Sequence, residues 1–401
     1  MTRSRAHQLG HKTGVTHANQ LPPEVKGLSV KLFSETEQDY LNNVVQTVAA
    51  DLLERIDATR SRGADRLNVR SLSRSYIHSV GIVELEGTNR RCFAKAKKEL
   101  YVGQDLRAEA DFLSRIAPLI TAQNPLLRSP AVIGYYGEQN LLMMEWIDGH
   151  SLKEHLFDFR YRGQKDMARS LRLAGEWLGR LHRLSRQAKS SNPIDDFLEY
   201  FESSFIADFF RRHSLETYHS EILKSIDIRR QRNPDFRRNL SMTHGEFTPL
   251  HVLVSGQGIY VVDFGNSRPG FPLEDAALFI GFWDSLMPWR LGMGTLRLGA
   301  EDPKKLFLDS YFKAADEHFG VADSVLMRWL RIKAFLRLLT SWNEKMSSVP
   351  RVVQTSFWNY WFLPRFVSAC REELSNLNKA PTLLADEIVE LQPEHVANRS
   401  A

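Results

Sequence analysis

The chain has 401 residues, 43% of them hydrophobic, 10% aromatic and 25% charged, with a net charge of +5. This is the composition of a folded chain with room for one or two hydrophobic cores, and it excludes disorder over most of the length. So mild a charge gives no reason to expect a nucleic-acid partner.

Residues 1–33 read as a polar arm, with Pro22 and Pro23. No apolar run follows its basic start, so it does not read as a secretory signal. Over 34–64, Leu41, Val44, Val45, Val48, Leu52 and Ile56 recur at helical spacing, Ser34 offers an N-cap and Gly63 a stop. One amphipathic helix is expected there.

From 65 to 148 the texture is that of strands. SYIHSVGIVELEG and RRCFAKAKK flank Gly87-Thr88-Asn89 and predict an antiparallel hairpin. A helix over DLRAEADFLSRIAPLI follows, then short strands at AVIGYY and NLLMMEW. From 149 to 376 the pattern is mainly helical, with ARSLRLAGEWLGRLHRLSRQ the clearest amphipathic segment. It is interrupted by HVLVSGQGIYVVDFG, two apolar strands about a Gly-Gln-Gly turn. The tail, 377–401, carries Pro381 and Pro393 and reads as less ordered. The longest strongly apolar stretch, Ala276 to Trp283, is too short to span a bilayer, so a soluble or at most peripheral protein is expected. Two distant cysteines, Cys92 and Cys370, make neither a zinc site nor a disulfide framework and fit a cytoplasmic location.

Two carboxylates carry the chemistry. Glu246, in THGEFTPLHVLV, and Asp263, in IYVVDFGNSRPG, lie 17 positions apart, each beside one strand of the expected hairpin. A hairpin brings both to one end of a cleft, where phosphoryl transfer needs one carboxylate near the attacking hydroxyl and another for a metal-bound nucleotide.

HGEFTPLH resembles the catalytic loop of the aminoglycoside phosphotransferase family, related to the choline phosphotransferases, in which His-Gly-Asp is followed five residues later by Asn. Asp263-Phe264-Gly265 resembles the metal-binding Asp-Phe-Gly of kinase-like folds. The resemblance covers roughly 65–375 and is most specific over about 244–275. It implies an α+β, bilobal protein-kinase-like fold with a small antiparallel-sheet N-lobe and a mainly helical C-lobe, here with an extra N-terminal helix.

The same resemblance implies ATP and a magnesium ion, Lys95 to grip the nucleotide phosphates, and Glu109 to orient that lysine. Lys97 shares a strand face with Lys95 and is the alternative. Ser73 and Ser75 stand where a glycine-rich phosphate loop belongs. Met144, Glu145 and Trp146 match the hinge that receives adenine. Glu246 takes the base position, His244 shapes the loop or assists, and Asp275 matches a buried brace of that loop.

Two departures bear on this. Glu246 replaces Asp and keeps the carboxylate. His251 replaces the metal-binding Asn, and imidazole is a poor ligand for magnesium. Asp263 then holds the metal alone, or manganese is preferred, or the site keeps nucleotide binding without transfer. Only 12 positions separate Asp263 from Asp275, and no Ala-Pro-Glu follows, which favours a small hydroxyl compound over a peptide as acceptor. Arg229, Arg230, Arg232, Arg237 and Arg238 offer an anionic acceptor a landing place, or form a solvated basic face. With the aromatic run TSFWNYWFLPRF they raise the alternative of a lipid-linked saccharide at a membrane surface. The expected function is ATP-dependent phosphorylation of a small molecule or a sugar or glycan metabolite, with a regulatory pseudokinase as the alternative.

Overall fold

A computed structural model describes residues 36–57, 67–74, 78–85, 90–97, 106–157, 164–232, 237–286 and 303–316, with scattered helical positions between 327 and 375. Ser34, Gly63, Ser75, the 87–89 turn, the aromatic run and the tail lie outside the described residues. The first elements are helices α1 (Thr36–Thr47) and α2 (Ala49–Asp57), strands β1 (Leu67–Arg74), β2 (His78–Leu85) and β3 (Arg91–Lys97), and helices α3 (Leu106–Arg115) and α4 (Ala117–Gln123). Strands β4 (Leu127–Arg128), β5 (Val132–Tyr136), β6 (Leu141–Glu145) and β7 (His150–Ser151) follow, then helices α5 (Leu152–Phe157) and α6 (Gln164–Leu184). The chain then forms β8 (Ser190–Ser191), α7 (Pro193–Glu202), α8 (Ser204–Arg212), α9 (Glu216–Arg232), β9 (Arg238–Asn239) and β10 (Ser241–Thr243). A hairpin of β11 (Val252–Ser255) and β12 (Gly258–Val261) comes next, followed by β13 (Arg268–Gly270), α10 (Pro272–Leu286) and α11 (Pro303–Ala315).

The chain divides into two compact units, residues 1–106 with 133–145, and residues 107–132 with 146–401. In the first, five strands lie in the order β1-β2-β3-β6-β5. Alternation along β3 sends Cys92, Ala94 and Ala96 to one face, where they meet Val69, Val83, Leu141 and Met143 and the helical Leu41, Val45, Val48 and Leu52. The N-terminal helical stripe therefore covers the back of the sheet. Leu41, Val45 and Leu52 are fully buried, each contributing roughly 1.5–3 kcal/mol of transfer free energy. Lys95 and Lys97 lie on the opposite face, Lys95 in register with Val80 and Leu142.

The single N-terminal helix expected from spacing is two helices. The Thr47 hydroxyl donates to the Val44 carbonyl at 2.7 Å, and the Val48 N–H bonds the Val45 carbonyl instead, tightening that turn. The helix expected over 105–120 also divides, at Ile116, because Pro118 has no N–H to continue the ladder.

In the second unit, α6 is the central helix, burying Leu171, Ala174, Trp177, Leu178 and Leu181 at three- and four-residue spacing. Gly175 and Gly179, one turn apart, face α11. A Cβ on either would stand 2.2 Å from the Phe307 carbonyl oxygen or 2.4 Å from that of Tyr311. Only glycine permits so close a crossing. A four-stranded sheet in the order β4-β12-β11-β7 holds the β11–β12 hairpin, with Val252 opposite Val261 and Ser255 opposite Gly258. The short pair β10–β13 joins the start of the His244–His251 loop to the segment after Asp263, with Thr243 opposite Arg268.

Candidate active site

The second unit assembles the site around the loop from His244 to His251, between β10 and β11, and the turn after β12. Its fixed point is Asp275, in the first turn of α10, a side chain only 1% exposed. One carboxylate oxygen accepts the His244 N–H at 2.6 Å and the other the Gly245 N–H at 2.9 Å. His182 on α6 approaches the first oxygen through Nε2 at 3.3 Å, while its Nδ1 lies 3.0 Å from the Tyr311 hydroxyl. Burial pushes the Asp275 pKa up, but the His182 hydrogen bond, then the nearby imidazoles and the His244 amide, outweigh it and hold it below the usual carboxylate value.

Gly245 has φ +82°, and a Cβ there would stand 2.3 Å from the Asn266 carbonyl oxygen. The loop and the turn after Asp263 pass so closely that glycine is required. Arg337 donates to the Gly245 carbonyl at 3.0 Å, bracing the loop from a third side.

His244 is fully buried. Its Nε2 lies 3.0 Å from the Val262 carbonyl oxygen, an acceptor only, so Nε2 carries the proton and Nδ1 accepts the Glu246 N–H at 3.3 Å. The neutral imidazole thus has both ring nitrogens hydrogen-bonded, and burial pushes the pKa down from 6.5 to about 4. His244 is thus a brace of the loop. Because the folded value lies below the unfolded one, its contribution is complete above pH 6.5 and is lost as pH falls from 6.5 towards 4, a loss of roughly 3 kcal/mol. Melting temperatures followed across that interval should fall, and a His244→Gln chain should show a shallower decline.

Glu246 is half-buried, with its backbone carbonyl accepting from His251 Nδ1 at 2.7 Å. Asp263 sits in the left-handed region at φ +68°, a conformation that aspartate tolerates and that concentrates at functional sites. Its Oδ2 lies 3.6 Å from His251 Nε2. Ligand atoms of Glu246, His251 and Asp263 all fall within 4.8 Å of one another. One nitrogen and two carboxylates in that compass fit a divalent cation.

Phe264 is buried, stacked on Phe112 with centroids 4.4 Å apart, and its N–H donates to Glu109 Oε1 at 3.1 Å. Glu109, buried on α3, thereby ties that helix to the Asp-Phe-Gly turn. Lys95 is buried on β3 of the other unit, whereas Lys97 is half-buried. Ser73 lies on β1, just past a register shift. Met144 is buried on β6 and Glu145 is exposed there. Trp146 begins the second segment of the second unit, and its indole N–H has no hydrogen-bond partner among the described residues.

His182, Arg337 and Phe112 belong to this construction and were not singled out from sequence. His182 alone carried a signal, a polar ring within the apolar stripe of α6. Arg230 is paired with Asp195 at 2.9 Å, so that charge of the arginine cluster is balanced locally.

The solved structures similar to this chain include a choline/ethanolamine kinase family protein from Mesorhizobium loti, 15% identical, matched over 84% of this chain and 94% of that one with a TM-score of 0.42. They also include an ethanolamine kinase from Plasmodium vivax, at 13% identity over 86% and 94% with a TM-score of 0.45. An ADP-bound aminoglycoside phosphotransferase is 14% identical over 81% and 96%, with a TM-score of 0.41. No curated protein matches the chain. The model of the phosphotransferase enzyme family matches residues 71–305, a span that contains β3, α3, the catalytic loop, Asp263 and Asp275. The chain belongs to the phosphotransferase enzyme family.

Proposed function

We propose that the chain moves the γ-phosphoryl group of ATP to a hydroxyl of a small molecule or of a sugar or glycan metabolite. The observation that supports this reading is the convergence of the Glu246 and Asp263 carboxylates, with His251, within 4.8 Å. Asp263 and His251 would hold the divalent cation of the nucleotide. Bound there, the cation offsets charge on the transferring phosphate oxygens. Glu246 orients the acceptor hydroxyl and takes its proton as the oxygen bonds to phosphorus, and the terminal ADP oxygen leaves. The Asp275 clamp holds Glu246 in place through the backbone of its loop. Family resemblance assigns Lys95 to the phosphates and Met144, Glu145 and Trp146 to the base. The short interval from Asp263 to Asp275 supports a small acceptor over a peptide.

ATP consumption by the purified protein over a panel of sugars and amino alcohols tests the reading. Glu246→Gln should lower kcat for the accepted compound by about 10²–10⁴-fold with a smaller change in KM.

A second reading has its own observation. His251 stands where the family pattern has a metal-binding asparagine, with Nε2 3.6 Å from Asp263 Oδ2, and a site that imidazole denies to magnesium is that of a regulatory pseudokinase. In that case His251→Asn gains transfer activity from none.

A further inference from the structure

We infer that Asp263 and His251, beside the Glu246 carboxylate, form a cation site that selects a first-row transition ion of the manganese class over magnesium. This deepens the reading above by naming the metal, and it rests on that reading's metal ligands rather than on phosphoryl transfer.

The argument starts from the His251 tautomer. Nδ1 lies 2.7 Å from the Glu246 carbonyl oxygen, which can only accept, so Nδ1 carries the proton. In the neutral ring the lone pair is therefore on Nε2, the atom 3.6 Å from Asp263 Oδ2. That separation is too long for a hydrogen bond. It is the spacing of two atoms that share one ion, since ligands each about 2.1–2.2 Å from a metal stand roughly 3–4 Å apart.

The ring is also held in place. The His251 N–H donates to the Thr248 carbonyl at 3.0 Å, and its own carbonyl accepts the Val262 N–H at 3.0 Å. Val262 directly precedes Asp263, so the same backbone fixes both ligands relative to each other. A metal-binding imidazole whose second nitrogen donates to a backbone carbonyl is oriented by that bond, and such outer contacts sustain affinity. Glu246 supplies that carbonyl and also a carboxylate within reach of the group.

Magnesium takes oxygen ligands and gives up its waters reluctantly. An imidazole nitrogen in place of one of those oxygens costs magnesium more than it costs manganese, and it suits the later first-row ions. The Asp263 oxygen, with the Glu246 charge close by, keeps the site hard enough for Mn²⁺.

Full-length protein labelled with ¹⁵N-histidine, given Mn²⁺ alone without nucleotide, should show directly bound nitrogen by pulsed electron paramagnetic resonance. His251→Asn should abolish that coupling, weaken Mn²⁺ binding by about 10-fold or more, and narrow the preference over Mg²⁺ in competition titrations. The wild-type spectrum needs no variant to fold. Failure to bind Mn²⁺, binding without nitrogen coupling, or coupling that survives in His251→Asn would overturn the proposal. A nitrogen-coupled ion in a protein that transfers no phosphate would keep the metal assignment and remove the phosphotransfer reading.

Discussion

Replacing Asp263 by asparagine is expected to lower kcat by about three orders of magnitude, roughly 4 kcal/mol of transition-state stabilisation, while leaving the fold intact. Asparagine has nearly the same shape and accepts the left-handed backbone at φ +68°, so the substitution removes a charge and little else. The Asp263 carboxylate is 43% exposed, while the neighbouring Phe264, buried on Phe112 and hydrogen-bonded to Glu109, is untouched by the substitution. Steady-state kinetics with an accepted hydroxyl compound, beside a melting curve within a few degrees of wild type, would show this pattern. A variant that keeps more than a tenth of wild-type kcat would remove Asp263 from the chemistry.

The largest expected effect on stability belongs to Asp275. Asp275→Ala strips partners from the His244 and Gly245 amides and from the His182 ring, all within 3.3 Å of the carboxylate. Each buried donor left unpaired costs about 1–3 kcal/mol, and breaking a buried charged contact about 3–5 kcal/mol in all. A melting-temperature loss on the order of 10 °C should follow. Asp275→Asn is a sharper probe, because one oxygen still accepts while its NH₂ is forced against one of the donors. Its cost should approach that of alanine. In either variant kcat should fall more than KM rises, since the loop that carries Glu246 loses its anchor. A change below about 1 kcal/mol in both would contradict the clamp.

The parts of this site legible in sequence are those set by local pattern. Hairpin β11–β12 follows from two apolar runs about Gly-Gln-Gly, and α6 from its helical stripe. The spacing of two carboxylates about that hairpin singled out Glu246 and Asp263, and family resemblance singled out Asp275, whose carboxylate accepts the His244 and Gly245 amides. The breaks at Val48 and Ile116 were missed because they depend on a side-chain competitor, Thr47, and on a missing N–H, at Pro118, inside otherwise good helical periodicity. The role of the N-terminal helices was also hidden. Their stripe shows that something is covered, but only the parity of Cys92, Ala94 and Ala96 on β3 shows that it is the sheet face opposite Lys95.

Long-range contacts account for the rest. Arg337 reaches the Gly245 carbonyl across 92 positions, and no local pattern announces it. Nearby, Lys333 pairs with Glu274 at 2.6 Å over the Phe197 and Tyr200 rings. His251 looked like a flaw in a motif. Its meaning depends on which ring nitrogen meets the Glu246 carbonyl, a question of three-dimensional geometry.

The measurement that bears most directly on the central claim is phosphorus NMR of ATP with wild-type protein, Mg²⁺ or Mn²⁺, and the acceptor panel, repeated with Glu246→Gln. A new phosphomonoester signal with ADP in equal amount, slowed at least a hundredfold in the variant, is the predicted result. No phosphorylated product with either metal, or a Glu246→Gln chain as fast as wild type, would contradict the assignment of these carboxylates to phosphoryl transfer.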